Sequence, residues 1–245
     1  MKADTQVGFL VTSFFGGYCL ASYEKPGFLS ELMTDFLPAF ATLVAAYLGA
    51  RYAFLLRDKK EKEKKDEEIC ASGNLASFQL LRMLNRLQTY KKTAIDPHIS
   101  DLDSAHFLIS PSNALADDTF GLDLPTLGFL VELDKPNLLG QISVCEQKFR
   151  ASSTAIVKRS EIHERELQPR IEELFQTSER PPSVEELEQL LGERITQKMK
   201  SITKQVIDLV DDAISEITRC QVDLSDVLSD KYPDRKVIRL NEETR

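Results

Sequence analysis

The sequence has 245 residues, lacks tryptophan, and has only three histidines, four cysteines and ten glycines. No glycine lies in a G-x-G-x-x-G or G-x-x-x-x-G-K-[S/T] pattern that would cradle a phosphate, and no G-x-S-x-G nucleophile elbow is found. The cysteines Cys19, Cys70, Cys145 and Cys220 are widely spaced and form no C-x-x-C pair. We therefore expect no cofactor and no metal site, and we interpret the cysteines as small apolar residues in helix seams.

Histidines and acidic pairs also give no recognisable catalytic arrangement. His163 has Glu166 three residues later, but a di-metal helical bundle needs two such pairs and further carboxylates, so a solvated charged face is expected. Acidic pairs such as Asp211-Asp212 have no neighbouring base in the sequence. These absences predict no catalytic residues and a protein that is not an enzyme.

The chain carries a net charge of -8, and that charge is unevenly placed. Residues 1–65 contain 9 basic and 7 acidic side chains, whereas residues 66–245 contain 22 and 32, a net of -10. An acidic surface repels phosphate backbones, so we expect no direct sequence-specific binding of nucleic acid.

An apolar stretch from Asp35 to Arg57 (DFLPAFATLVAAYLGARYAFLLR) contains one internal charge, Arg51. A helix over Phe36–Leu56 would be about 30 Å long, which matches the hydrocarbon core of a bilayer. The basic-rich run Arg57–Lys65 follows, and basic residues beside a span mark its cytoplasmic side. These features favour a transmembrane span at about residues 36–57, then a charged neck at 58–68, over a buried helix of a soluble protein. The expected membrane-interface residues are Arg51, Arg57, Lys59 and Lys60.

A second uncharged stretch, Val7–Tyr23, has 17 residues, the short end of the range for a span. It fits a signal peptide, an interfacial segment or a first transmembrane helix, and the lack of a good cleavage site favours the last. The two spans, at about residues 7–23 and 36–57, then form a transmembrane hairpin over residues 1–57. Both termini are expected in the cytoplasm.

Small residues recur at every fourth position in both apolar segments. The rows are Ser13, Gly17 and Ala21 in the first and Ala41, Ala45, Gly49 and Ala53 in the second. Such rows let helices approach closely in lipid, so these are the candidate transmembrane packing residues. They either close the hairpin on itself or join hairpins of neighbouring chains, and the sequence favours neither.

Residues 69–245 are predicted to form a cytoplasmic, all-α bundle of long antiparallel helices with coiled-coil character, because apolar residues recur at helical spacing and strand alternation is lacking. One helix is expected to continue from Phe36 to about Lys92. A second runs from Pro136 to about Phe175. A third runs from Val184 to about Asp230, a rod of ~70 Å if it is straight, and Gly192 is a point where it can bend. The candidate seam residues are Ile142, Phe149, Ile156, Ile195, Ile202 and Val206, and the seam of the second helix also includes Cys145 and Ser152.

Three further segments carry local signals. Residues 98–124 have loop character with one helical turn at Ser104–Ile109, so a functional surface or a disordered segment is expected there. Beyond Ile156 the helix face turns polar (KRSEIHERELQPR), which predicts that this portion projects from the bundle or meets a partner. Ser183 and Glu186 have the spacing of a capping box at the start of the third long helix.

Two hydrophobic segments, a basic stop and a helical body accompany a run of particular residues. These are Asn74, Leu75, Leu81, Leu84, Asn85 and Tyr90, followed by Ile95-Asp96-Pro97-His98. This pattern, over about the first 100 residues, resembles small bacterial two-transmembrane proteins, some of them retron-associated effectors of anti-phage defence. The resemblance implies an effector held silent by a reverse transcriptase complex with RNA and DNA, which damages the inner membrane when released. It implies no catalytic residue.

Two functions are therefore expected. The first is an effector of anti-phage defence, anchored in the bacterial inner (cytoplasmic) membrane, which perturbs that membrane when a protein or ribonucleoprotein partner releases it. The alternative is a membrane-tethered helical scaffold or adaptor without membrane-damaging activity. Both place the soluble part in the cytoplasm and the apolar segments among membrane lipids, and the effector hypothesis includes a homo-oligomer of hairpins.

Overall fold

The computed structural model describes residues 13, 16–17, 34, 37–99, 102–112, 121–177 and 183–240. It divides into two compact units, Met1–Lys64 and Lys65–Arg245, whose boundary falls within the predicted charged neck. The second, Lys65–Arg245, is the helical unit. All regular secondary structure in the described ranges is helical, as predicted, and those ranges contain no strand. Most of the first apolar segment lies outside the described residues, so the transmembrane hairpin stays a prediction.

From Leu37 onward the described residues form seven α-helices. They are α1 (Leu37–Tyr90), α2 (Leu102–Leu108), α3 (Phe129–Glu132), α4 (Pro136–Ile162), α5 (Gln168–Thr177), α6 (Val184–Leu191) and α7 (Glu193–Lys231). Two π-helical turns, Lys91–Ile95 and His163–Leu167, continue α1 and α4. The predicted continuous helix from Phe36 to about Lys92 is confirmed as α1, and the helical turn predicted within residues 98–124 is confirmed as α2.

Both π-helical turns lie just before a proline. Pro97 and Pro169 each follow the end of a π turn by two residues. The N–H of the residue before each proline bonds five residues back, from Asp96 to the Lys91 carbonyl and from Gln168 to the His163 carbonyl. A proline ring clashes with the carbonyl four residues earlier, and a widened turn relieves that clash. After the first π turn the helical residues end at His98, whereas α5 continues through Pro169 to Thr177.

Contacts between side chains fix the direction in which α4 and α7 run. Ser152 Oγ donates to the Leu209 carbonyl at 2.9 Å, and Arg159 Nε donates to Thr203 Oγ1 at 3.0 Å. Because the partner number falls as the α4 number rises, the two helices are antiparallel. They pack at a shared apolar core, as the seam spacing predicts.

The second half of α1, residues 65–90, also runs antiparallel to α7. Glu67 pairs with Arg235 at 3.0 Å, whereas Lys91 pairs with Asp211 at 2.6 Å. The second half of α1 and α4 therefore run in the same direction. The expected bundle of antiparallel neighbours is wrong at this pair, because residues 91–135 return the chain to the starting end before α4 begins.

The core lies between the second half of α1, α4 and α7. Of the predicted seam residues, Ile142, Phe149, Ile156, Ile202 and Val206 are buried and Ile195 is half-buried. A smaller apolar cluster fills the other end of the unit, where α2, α6 and the turn after α4 meet the start of α7. Its buried members are Phe107, Ile162, Leu167, Leu191, Met199 and Ile202.

The expectation of one helix from Val184 to about Asp230 is wrong, because Gly192, the residue at which a bend is expected, separates α6 from α7. Gly192 has φ +76° and ψ 158°, a backbone conformation open almost only to glycine. The capping box at Ser183 is confirmed: its hydroxyl accepts from the Glu186 N–H, and the Glu186 carboxylate accepts from the Ser183 N–H. The sequence signal for the start of α6 is therefore right, and Gly192 ends α6 and precedes α7 instead of bending one continuous helix.

Gly192→Ala is expected to destabilise the helical unit by about 1–3 kcal/mol, because alanine is strained at this φ and ψ. Nothing lies within 4 Å of an added Cβ, so crowding contributes nothing. Gly140→Ala is the matched control: Gly140 lies within α4, its added Cβ is also unobstructed, and alanine there is expected to stabilise by about 0.5–1 kcal/mol. Denaturant unfolding of both variants measures the two effects; equal effects would contradict the strain at Gly192.

The segment after α7 packs back onto α1 without forming a strand. Asn74 Nδ2 donates to the Lys236 carbonyl at 2.9 Å, and the Ile238 N–H donates to Asn74 Oδ1 at 2.9 Å. Gln221 Nε2 on α7 donates to the Ile238 carbonyl at 3.3 Å. Three hydrogen bonds from two side chains thus hold this segment in place of a sheet.

Candidate functional site

The first part of α1, from Leu37 to Leu56, is apolar and none of it is buried. Tyr52 is 69% and Phe54 66% exposed. Apolar surface left in water costs roughly 25 cal/mol per Å². By length and composition, α1 is a helix that can cross a membrane.

The apolar segment also satisfies its own polar groups. A continuous helix pairs its backbone N–H and carbonyl groups internally, as hydrocarbon surroundings require. Thr42 Oγ1 donates to the Pro38 carbonyl at 2.8 Å, so this hydroxyl needs no external partner. The segment therefore meets both chemical conditions for lipid exposure, an apolar surface and an internally bonded backbone.

A charged collar, residues 57–65, follows the apolar segment on the same helix. Arg57 pairs with Glu61 at 2.7 Å and Lys59 with Glu63 at 3.8 Å, both with i,i+4 spacing. Water screens such exposed pairs, so their cations can exchange a carboxylate for a lipid phosphate. All four predicted interface residues, Arg51, Arg57, Lys59 and Lys60, lie exposed on α1.

The small residues of the second row lie exposed along α1. They are Ala41, Ala45, Gly49 and Ala53. In the first row, Ser13 and Gly17 are helical and Ala21 lies outside the described residues. An added Cβ at Gly17 or Gly49 would meet no atom within 4 Å. Close packing at these rows stays a prediction.

Within the helical unit the most unusual group is Arg159, which is fully buried on α4. Its Nη2 donates to the Ile109 carbonyl at 2.6 Å and to the His106 carbonyl at 3.3 Å, and its Nε donates to Thr203. The two carbonyls lie at the C-terminal end of α2, where a cation is favoured. Arg159 therefore fastens α2 to α4 and α7.

The charge of Arg159 is only partly compensated. Among the described residues no carboxylate pairs with it, and its Nη1 has no hydrogen-bond partner there. Burial lowers the pKa of the guanidinium, but arginine stays charged at neutral pH. Taking such an ion out of water costs several kcal/mol, which its hydrogen bonds return in part. The contact between α2 and α4 therefore contains a buried charge whose desolvation is only partly compensated.

Ser160 provides a second attachment beside Arg159. Its Oγ accepts from the Ser112 N–H at 2.8 Å and lies 3.1 Å from the Ser112 carbonyl. Together the two neighbours on α4 hold residues 106–112 against the bundle. The functional surface expected within residues 98–124 is thus, at residues 104–109, a mostly buried packing segment, and residues 113–120 lie outside the described part of the chain.

His163 corrects the prediction of a solvated polar face. It is buried, and so are Arg159, Ser160, Ile162 and Leu167, because α2 and α7 cover this side of α4. The predicted projection of this portion from the bundle is therefore wrong. Glu166 instead faces outward and pairs with Lys198 on α7.

Comparison of the chain with protein-family models, with curated proteins and with solved structures gives no match.

The residues that carry the resemblance to two-transmembrane effectors have packing roles here. Leu84, Tyr90 and Ile95 are buried in the core, and Asn74 holds the segment after α7. Part of the resemblance therefore rests on packing positions, whereas Leu75, Asn85 and Pro97 are exposed, and its functional implication stays a proposal.

The buried polar side chains were missed although their spacing was informative. The predicted seam Ile142, Cys145, Phe149, Ser152 and Ile156 alternates steps of three and four. Continuing the same steps reaches Arg159 and then His163, the two residues that the structure buries. The seam spacing predicts that Arg159 and His163 are buried, whereas their polarity predicts that they are exposed. The structure follows the spacing.

Protonation of His163 should make the helical unit less stable as pH falls. Burial, and then the charge of Arg159, lower the pKa of His163 below its usual value. The folded protein therefore keeps it neutral while the unfolded chain takes up a proton below about pH 6.5, and stability falls by at most about 1.4 kcal/mol per pH unit. The stabilising contribution is fully present above that pH and is lost as pH falls toward the lowered pKa.

Denaturant midpoints measured between pH 7.5 and 5.5 test this, with His163→Gln as the comparison. The wild-type slope should exceed that of the variant, because glutamine cannot titrate. Parallel slopes would show that His163 does not stay neutral in the fold.

Proposed function

We propose that this protein is a membrane-anchored effector. The segment Leu37–Leu56 enters a bilayer, the predicted hairpin to which it belongs perturbs that membrane, and a partner bound to the helical unit restrains the activity. The observation that carries the proposal is the exposed apolar part of α1, of which no residue is buried. A bilayer is the surrounding that suits its length and its internally bonded backbone.

An effector explains the small residues of α1 better than a passive anchor does. An anchor needs hydrophobic length only, and glycine within a helix costs about 1 kcal/mol relative to alanine. Gly49 lies within the exposed segment, and a Cβ added to it would meet no atom within 4 Å. Close contact between helices in lipid would give that glycine a purpose, because small residues let two backbones approach, and an effector needs such contacts to assemble its hairpins.

The helical unit has two properties that suit restraint by a partner. Burial of Arg159 makes the contact of α2 with α4 costly, so separation of α2 would let the guanidinium reach water. Such a contact can change when a partner binds or leaves. Residues 66–245 carry a net charge of -10, which favours a partner with a basic protein surface.

The location proposed is the bacterial inner membrane. The helical unit is proposed to be in the cytoplasm, because the basic residues of the charged collar mark that side of the span. The partner proposed is a protein or ribonucleoprotein, of which a reverse transcriptase complex is the case implied by the resemblance at residues 74–98. Defence against phage is the role that this resemblance adds. A membrane-tethered scaffold is the competing function, and it differs in the consequence of expressing the chain alone.

Expression of the chain without partners should depolarise the inner membrane and arrest growth. Gly49→Leu and Gly17→Leu should abolish this effect while keeping insertion, because leucine favours the membrane but forces helices apart. Ala46→Leu is the matched control, since Ala46 lies equally exposed on α1 but outside the small-residue row. Membrane potential, viability and the amount of membrane-bound protein are recorded for each variant.

Retained toxicity in Ala46→Leu with loss in the glycine variants supports the effector. If the parent chain is tolerated at the same membrane-bound level, the scaffold is the function. If parent and all variants are equally toxic, the packed hairpin is not the active element.

A further inference from the structure

Two thiols and a carboxylate meet between α4 and α7, more than three helical turns along α4 from Arg159. Cys145 on α4 and Cys220 on α7 are buried, and Glu216 precedes Cys220 by one helical turn. One ligand atom from each of the three lies within 4.8 Å of the other two. A point can therefore be chosen within about 2.8 Å of all three atoms, close to the 2.0–2.3 Å of zinc bonds.

We propose that Cys145, Glu216 and Cys220 form a reversible Zn²⁺ site that fastens α4 to α7. Two sulfur ligands and one oxygen ligand suit a borderline-soft ion such as zinc and disfavour magnesium or calcium, which prefer oxygen alone. Side-chain shifts of about 0.5 Å bring the three atoms to bonding distance. The fourth position of the tetrahedron is left to water, because the described residues supply no fourth ligand to this group.

The surrounding charges balance the ion. Zinc binding releases two thiol protons, so two thiolates and one carboxylate contribute -3 against +2 from the metal. Lys148 Nζ lies 2.9 Å from Asp212 and 3.6 Å from Glu216, so Lys148 and Arg219 together offset the remaining charge and that of Asp212. Arg219 also pairs with Glu216 and would keep one carboxylate oxygen oriented while the other turns toward the metal.

The two thiols also contact each other directly. The Cys145 and Cys220 thiols form a hydrogen bond between α4 and α7, and a Glu216 carboxylate oxygen lies within 4.8 Å of both sulfurs. Packing alone would need only two small apolar residues here, with no carboxylate beside them.

The number of ligands suggests the purpose. Structural zinc sites almost always have four protein ligands, so a site with three binds the ion less tightly and can release it. Because the two cysteines lie on the two helices that form the core, occupancy would hold α4 and α7 together and loss would loosen them. Zinc would therefore act on the stability of the helical unit, independently of whether the chain is a membrane effector.

Titration of the full chain in detergent micelles, reduced and stripped of metal, tests the site with Zn²⁺ and with Co²⁺ as a spectroscopic substitute. We expect one ion per chain, a thiolate-to-cobalt charge-transfer band, and a higher unfolding temperature with zinc. Cys145→Ser and Cys220→Ser should each weaken binding by roughly 100-fold or more, and Glu216→Gln by about tenfold. Cys70→Ser is the control, because Cys70 is a buried cysteine on α1 outside the group.

Glu216→Gln changes a partly exposed side chain, so it keeps the test valid if a cysteine variant fails to fold. The proposal is overturned if the parent chain binds no zinc at micromolar concentration, or if Cys145→Ser and Cys220→Ser bind it as the parent does. A cobalt complex without the charge-transfer band would also overturn it, because the thiolates would then not be ligands.

Discussion

Val44→Arg combined with Leu48→Arg is expected to prevent membrane insertion of the apolar segment of α1. Both residues lie near the middle of Leu37–Leu56, where each arginine costs about 2.5–3.5 kcal/mol in an insertion equilibrium. Together they disfavour insertion by about 5–7 kcal/mol, a factor of more than a thousand. In a soluble exposed helix the same changes would be nearly neutral, because arginine is a good helix former.

The measurement places residues 35–60 in a host membrane protein between two glycosylation acceptor sites. An inserted segment leaves one site glycosylated, whereas a translocated segment leaves both. Leu37→Arg with Leu56→Arg is the matched control, since the same side chains at the two ends can reach the headgroups. Insertion of the central variant at the parent level would contradict lipid exposure of this segment.

Val206→Asp is expected to destabilise the helical unit by about 3–5 kcal/mol. Val206 is 1% exposed on α7 and packs in the main core. An aspartate there is either a buried unpaired charge or a carboxyl group forced to bind a proton, and both are costly. Most single-domain stabilities are only about 5–15 kcal/mol, so much of the fold's margin would be lost.

Gln205→Asp is the matched control for Val206→Asp, because Gln205 is the exposed neighbour on the same helix. It introduces the same side chain with the same helix propensity and should change stability by less than about 0.5 kcal/mol. Denaturant unfolding followed by circular dichroism compares the two. Similar midpoints for both variants would mean that the seam of α7 is not the core.

The long helices were predictable because their signals are local and repeated. Val206 lies at one of many apolar positions with helical spacing, and Ser183 with Glu186 fits a cap that depends on four consecutive residues. The π-helical turn after Tyr90 and the end of the helix at His98 follow from Pro97, whose effect on the preceding turn is local as well.

The parts that the sequence did not predict depend on contacts distant along the chain. The parallel direction of α1 and α4 follows from where residues 91–135 lead, and no local pattern encodes it. Arg159 is buried because carbonyl groups at the end of α2 are available to it, which only the packed structure shows. The Cys145–Cys220 pair joins residues 75 positions apart and has no spacing motif.

The location of the apolar segment is measured most directly by spin labels on α1. Single labels at Val44, Leu48 and Lys60, in a chain whose native cysteines are replaced by alanine, are studied in the full-length protein in lipid vesicles. Power saturation then compares access of molecular oxygen, which concentrates in lipid, with access of a water-soluble nickel chelate. Oxygen access should dominate at Val44 and Leu48 and nickel access at Lys60. Nickel access dominating at all three positions would show that the segment lies in water and would contradict the membrane anchor.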